Sequence, residues 1–156
     1  DYGVSNIYWT NDDKELVAVV MYQGTLELFA FNRETKAIRQ ISAGQHDVNS
    51  FTMNGSNIVA SQVSMQYPAT LYAYNLSDDK VEGTKLSTFN DDVLSQVRMG
   101  KVEPHWIKTV DGKDMLTWII YPYDYDSTKF PLLCSSVRAV LRASLASSGA
   151  PVGISR

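Results

Sequence analysis

The sequence contains two copies of a four-strand pattern, and this repeat limits the folds open to the chain more than any other feature. Each copy has four short runs of β-branched, aromatic and aliphatic residues separated by turn-forming residues. The runs are Val4 to Trp9, Leu16 to Tyr22, Thr25 to Asn32 and Ala37 to Ser42, then Ser50 to Met53, Ile58 to Ser64, Thr70 to Asn75 and Thr84 to Ser87. Trp9 corresponds to Phe51, and Ile41 corresponds to Leu86, which gives a period of 42 to 45 residues. Four strands in a repeat of this length are typical of a β-propeller blade, so residues 1–89 are predicted to form two blades.

Two blades are not expected to bury all of their own apolar surface. The third runs, around Leu26 to Phe31 and Leu71 to Tyr74, carry large apolar residues at nearly every position, which is typical of strands covered on both faces. Each repeat unit normally covers the next, so the outer faces of a two-blade piece would stay open. The chain is therefore expected to be part of a larger protein. Homo-oligomer formation through exposed strands or blade faces is an alternative way to cover those surfaces.

The pattern changes after residue 89, where a second unit is predicted to begin. Asn90 to Val97 has an N-cap candidate followed by two acids, which predicts a short helix. Val102 to Thr109 and Met115 to Tyr121 flank an Asp111-Gly112 turn, which predicts a β-hairpin. The predicted organisation is two blades over residues 1–89, a linker helix and hairpin over 90–130, and an anomalous tail over 131–156. The fold class is mainly β.

The hairpin segment also resembles a known family. Lys108 to Pro122, followed by Phe130 to Leu133, resembles the opening of the α/β-hydrolase domain in prolyl oligopeptidase family serine peptidases, especially the dipeptidyl-aminopeptidase-like members. The run Leu71 to Leu76 agrees with the propeller that precedes this domain in the family. The resemblance covers roughly residues 1–130. It implies that the parent protein acts on peptide substrates, which the propeller selects by size before they reach the hydrolase domain.

The catalytic residues that the resemblance implies have no counterpart in this sequence. A serine hydrolase of this type needs a Gly-x-Ser-x-Gly nucleophile elbow, followed by an acid and then a histidine. No such elbow occurs, and both histidines, His46 and His105, precede the place where the serine would come. No catalytic, cofactor-binding or metal-binding residue is therefore assigned, no cofactor is expected, and the chain alone is predicted to be inactive. Two functions remain open: a non-catalytic piece of a serine exopeptidase that gates peptide substrates, or a propeller-type protein-binding module without peptidase activity.

The last 26 residues differ in composition from the rest of the chain. The segment Pro131 to Arg156 contains none of the 17 acidic residues and no aromatic residue. It contains three arginines and six serines. If the codons for Cys134 to Leu145 are read in a frame shifted by two bases, the genetic code permits a Gly-Pro-rich run that ends in Ser-Gln-Phe. Such a run is close to the pattern of the family. We hypothesise that the tail is the product of a frameshift near Leu133; the alternative is that it is native sequence.

The charge of the chain argues against a nucleic-acid partner, and the length of its apolar runs argues against a transmembrane helix. The net charge of −3 and the pI near 5.3 give no basic surface for a nucleic acid. The longest apolar run, Leu16 to Tyr22, is far shorter than the roughly 20 residues of a transmembrane helix. A lone cysteine, Cys134, allows no internal disulfide, so the sequence leaves the compartment undetermined. The resemblance allows a periplasmic or otherwise exported parent.

Each remaining candidate site also has a simpler structural interpretation, which we favour. His46 beside Asp47 could be half of an acid–base pair, but a loop position is favoured. His105 could face a substrate cavity at the domain junction, but packing is favoured. Turns are favoured for the acid pairs and for the two glycosylation-like sequences, which are Asp12-Asp13, Asp78-Asp79, Asp91-Asp92, Asn54-Gly55-Ser56 and Asn75-Leu76-Ser77.

Apolar residues in the tail fall at helical spacing. These residues are Val137, Val140, Leu141 and Leu145, beside Arg138 and Arg142. The spacing is consistent with a weak amphipathic helix that would meet a membrane surface or a partner, and equally with a shifted-frame accident.

Overall fold

The computed structural model describes residues 3–78, 81–126 and 128 and the backbone of the strand Val140–Leu141. Two antiparallel meanders make up most of the described chain. The first meander consists of β1 Val4–Trp9, β2 Glu15–Tyr22, β3 Thr25–Asn32 and β4 Ile38–Gln40. The second meander consists of β5 Asp47–Asn54, β6 Asn57–Val63, β7 Thr70–Asn75 and β8 Thr84–Lys85. All eight predicted strands are confirmed, although β4 and β8 are shorter than the runs that predicted them.

The turns of the meanders follow from residues that accept a left-handed backbone. Gln23 and Gly24, with φ of +50° and +85°, form the two-residue connection between β2 and β3. A connection with φ positive at both positions matches the twist of the strands that it joins. Tyr22 and Thr25 therefore pair directly across the turn.

The two meanders share one hydrophobic core. Residues of β2, β3, β5, β6 and β7, together with Ile41 after β4 and Leu76 after β7, form a single buried cluster: Val17, Val19, Leu28, Ala30, Ile41, Val48, Phe51, Ile58, Ala60, Tyr74 and Leu76. The first strands also meet, because the rings of Tyr8 and Phe51 lie 4.9 Å apart and Asn6 Nδ2 donates to the Asn49 carbonyl at 3.1 Å. A parallel pairing of Leu26 with Asp47 joins the meanders into one eight-stranded sheet. The meanders therefore fold as one unit.

The outer strand β1 leaves its apolar side chains uncovered. Ile7 is 54% exposed and Trp9 is 49% exposed, and every residue of β1 is exposed. On the second meander, Leu71 is 41% exposed although its neighbour Tyr74 is buried. Apolar surface thus remains open at both outer sides, as the repeat pattern predicted. The face of β7 that carries Leu71 is only partly covered, whereas both faces of β3 are largely covered.

A short helix and a second sheet follow the meanders. Helix α1 spans Asp91–Gln96; Asn90 occupies the N-cap position, but its side chain makes no capping hydrogen bond. Strands β9 Val102–Lys108 and β10 Asp114–Ile120 form the predicted hairpin, in which Gly112 has φ of +76°. Val102, Leu116 and Trp118 form a small core of their own. In the described part of the chain, no helix has the length and hydropathy that crossing a membrane requires.

The tail differs from its helical interpretation at the two positions that the structure describes. Val140–Leu141 forms β11, which pairs antiparallel with β10 through Leu116 and Met115. The helical interpretation of these two positions is therefore wrong. Four apolar residues in a short run do not distinguish a helix from a strand, and the open edge of β10 offers unpaired backbone groups. The rest of residues 131–156 lies outside the described residues.

Candidate functional site

The hairpin meets the meanders at a cleft that we call the junction cleft. It has a volume of about 240 Å³ and is lined by residues of both units. The meanders contribute Gly24, Thr25 and the loop 45–47 together with residues 63–66, and the hairpin contributes Val102 and Trp118. Gln66 Nε2 also donates to the Gly100 carbonyl at 3.1 Å. The hairpin is therefore held against the ends of the strands rather than against their faces.

A buried polar network lies beside this cleft and links the two meanders. Glu27 of β3 is 1% exposed, and its Oε2 accepts a hydrogen bond from Ser42 Oγ at 2.5 Å. His46 Nε2 lies 3.3 Å from the same oxygen and 3.0 Å from Gln62 Nε2 of β6. Gln62 in turn contacts the hydroxyl of Tyr74 on β7. Side chains from β3, from the loop before β5, and from β6 and β7 thus meet in one network.

A backbone hydrogen bond to Ser42 and a glycine at position 44 accommodate the side chains of this network. Ser42 Oγ accepts the N–H of Leu28 at 2.9 Å while its own hydroxyl donates to Glu27. A Cβ atom on Gly44 would lie 2.6 Å from His46 Nδ1, so a glycine is needed where the loop passes the imidazole. Burial raises the pKa of the Tyr74 hydroxyl to about 12, and it also raises the pKa of Tyr67. Both phenols therefore stay neutral and able to donate hydrogen bonds at neutral pH.

The loop position predicted for His46 agrees with the structure, but the surroundings of the side chain were not foreseen. His46 is only 9% exposed and lies beside Glu27 and Gln62, two residues that the sequence analysis did not single out. The available signal was Glu27 itself, a single acid inside the apolar run from Leu26 to Phe31. An acid in a buried strand requires a polar partner.

His105 lies on the hairpin in a more exposed cluster. Its Nε2 lies 3.6 Å from Glu103 Oε2 and 3.5 Å from the Tyr121 hydroxyl. Hydrogen bonds from Lys101 and then Tyr121 lower the pKa of Glu103, and the bond to Glu103 raises the pKa of Tyr121. Because the His105 side chain is 44% exposed, these contacts define a surface cluster and not an enclosed cavity.

The acid pairs and the glycosylation-like sequences lie at turns and element ends where the structure describes them. Asp12 Oδ1 accepts from Thr10 Oγ1 at 2.7 Å, and this bond lowers the pKa of Asp12. Asn75 Oδ1 accepts the N–H of Ser77 at 2.8 Å, and Asn54 precedes the left-handed Gly55. Asp91 and Asp92 instead lie in the first turn of helix α1, so the turn interpretation is wrong for this pair, and Asp79 lies outside the described residues. Over the described residues, no three His, Cys, Asp or Glu side chains converge in a way that could hold a metal ion.

Two curated relatives match most of the chain. Over 129 residues the chain is 31% identical to dipeptidyl-peptidase 5 of Porphyromonas gingivalis, a match that spans 83% of this chain and 19% of the relative. It is 33% identical over 102 residues to dipeptidyl-peptidase 5 of Porphyromonas endodontalis, across 65% of this chain and 14% of the relative. No family model matches the chain.

The chain is related to the prolyl oligopeptidase family of serine peptidases. The longer match leaves out only 27 of the 156 residues, so it necessarily includes the second meander and the hairpin. The fold agrees: an acylaminoacyl peptidase of Pyrococcus horikoshii aligns with a TM-score of 0.63 at 19% identity, over 78% of this chain and 18% of that protein. The chain spans less than a fifth of the length of the curated relatives that it matches.

Proposed function

We propose that the chain is the junction between the propeller and the hydrolase domain of a prolyl oligopeptidase family exopeptidase. Residues 1–89 would be two blades, and residues 90–130 would open the hydrolase domain. The observation that carries this proposal is the junction cleft, where Trp118 and Val102 of the hairpin lie beside the loop that carries His46. A match to dipeptidyl-peptidase 5 that includes the second meander and the hairpin supports it.

The proposed role of this piece is to orient the hydrolase domain and to gate peptides. The meanders share a core and the hairpin docks on their strand ends, so the position of one unit constrains the other. A gate of this kind controls which peptides reach the hydrolase domain. The nucleophile, the acid and the histidine of the reaction would lie elsewhere in the parent protein. We propose peptides as the substrates of the parent protein because both relatives are dipeptidyl peptidases. The exposed apolar side chains of β1 would be covered by a further blade, and a second copy of the chain is the alternative partner.

Assays on the purified chain test whether it lacks peptidase activity of its own. The chain is expected to give no turnover of a chromogenic dipeptide substrate and no labelling by a fluorophosphonate, because it lacks a nucleophile elbow. An active dipeptidyl peptidase in the same assay serves as the positive control. Labelling of a serine in this chain, or turnover above that of the heat-treated sample, would contradict the proposal.

A further inference from the structure

Among the described residues, only one of the two carboxylate oxygens of Glu27 has a hydrogen-bond partner. Oε2 has Ser42 and His46 beside it, whereas Oε1 is buried and has no hydrogen-bond partner among the described residues. A buried carboxylate oxygen without a donor is costly, and native structures usually supply a partner for such an atom. Among the described residues, Glu27 Oε1 is therefore an acceptor without a donor.

Glu27 lines a second cleft, which we call the Glu27 cleft. This cleft has a volume of about 400 Å³ and lies between the β2–β3 turn, the loop 43–45 and the hairpin. Its walls include three aromatic side chains, Tyr22, Trp106 and Trp118, and the amides of Gln23 and Gln40. Glu27 is the single acid among the twelve described residues that line the cleft, and none of them is a lysine or an arginine. Its walls therefore offer one acidic side chain and aromatic faces, but no lysine or arginine.

This combination of groups matches a planar organic cation. A guanidinium group donates several N–H hydrogen bonds to carboxylate and amide oxygens, and it stacks on aromatic rings. A cleft of this volume is ample for one long side chain. From these contacts we propose that the Glu27 cleft binds an arginine side chain, with the Glu27 carboxyl group as the acidic partner of the guanidinium and with the tryptophan rings as its walls. This proposal does not depend on peptidase activity, and it stands or falls separately from the proposed function.

Binding is tested with N-acetyl-arginine amide as the probe and N-acetyl-citrulline amide as its uncharged counterpart of nearly equal shape. Tryptophan fluorescence and the midpoint of thermal unfolding of the whole chain are followed as each compound is titrated. The arginine compound is expected to change both signals in a saturable way and to bind at least tenfold more tightly than the citrulline compound. Equal responses to the two compounds, or no saturable response to either, would overturn the proposal.

Variants locate the site. Glu27→Gln is expected to weaken binding of the arginine compound at least tenfold, with circular dichroism confirming that the variant is folded. Because Glu27 is buried, Trp106→Leu provides a second variant at a side chain that is 45% exposed, and it is expected to weaken binding severalfold. Trp9→Leu is the matched control, since Trp9 is 49% exposed and does not line the cleft. If Trp9→Leu and Trp106→Leu weaken binding equally, the arginine compound does not bind in the Glu27 cleft.

Discussion

Replacement of Leu28 by alanine is expected to destabilise the chain severely. Leu28 has no exposed surface, pairs with Val19 across the sheet, and lies in the core that the two meanders share. The substitution removes three carbon atoms, which at about 0.8 kcal/mol per buried methylene accounts for roughly 2.4 kcal/mol. The surrounding cluster is held by strands of both meanders, so it does not collapse fully into the space. A cavity term therefore brings the expected loss of unfolding free energy to about 3–5 kcal/mol.

Urea denaturation followed by circular dichroism measures this loss. With a slope of about 2 kcal/mol per molar urea, the midpoint of Leu28→Ala should fall by roughly 1.5–2.5 M. Leu86→Ala is the matched control because Leu86 is 54% exposed, and its loss should be about 1 kcal/mol or less. If the two variants lose the same free energy, Leu28 does not lie in a core shared by the two meanders.

The other predictions concern a buried phenol and a crowded glycine. Burial raises the pKa of Tyr74 from 10 to about 12, so its contribution to stability is complete below pH 10 and is lost as the pH rises through 12. Denaturation at pH 8 and pH 11 should show a smaller alkaline loss in Tyr74→Phe than in the parent chain, whereas Tyr8→Phe, at an exposed ring, should behave like the parent. A Cβ atom on Gly100 would lie 1.8 Å from the Tyr121 carbonyl oxygen, so Gly100→Ala should cost about 1–3 kcal/mol. Gly3→Ala, which meets no atom within 4 Å, should be nearly neutral in the same denaturation assay.

The strands were predictable because their apolar runs are bounded by strong turn residues. β1, β3 and β7 begin and end at the predicted residues, and Gly24 and Gly112 mark two of the hairpin turns. The ends of β4 and β8 were less predictable, since the last strand of each meander pairs on one side and its length depends on that neighbour. Periodicity along one segment carries no information about such a neighbour.

The candidate site was much less predictable than the strands. Glu27, His46 and Gln62 are far apart in the sequence, and they meet only because the two meanders pack against each other. The sequence did indicate that an acid within an apolar strand was unusual, but it did not indicate which side chains would surround it. The family resemblance did not help either, because it implied functional residues that this sequence lacks.

The coding sequence on both sides of this chain, read in all three frames, shows whether the chain is the junction of a serine exopeptidase. We expect further four-strand repeats upstream of the first residue and a Gly-x-Ser-x-Gly elbow downstream, in the same frame or in the frame that opens near Leu133. Absence of both from every frame would contradict the assignment of this chain to the junction of a serine exopeptidase, and it would favour a propeller-type binding module.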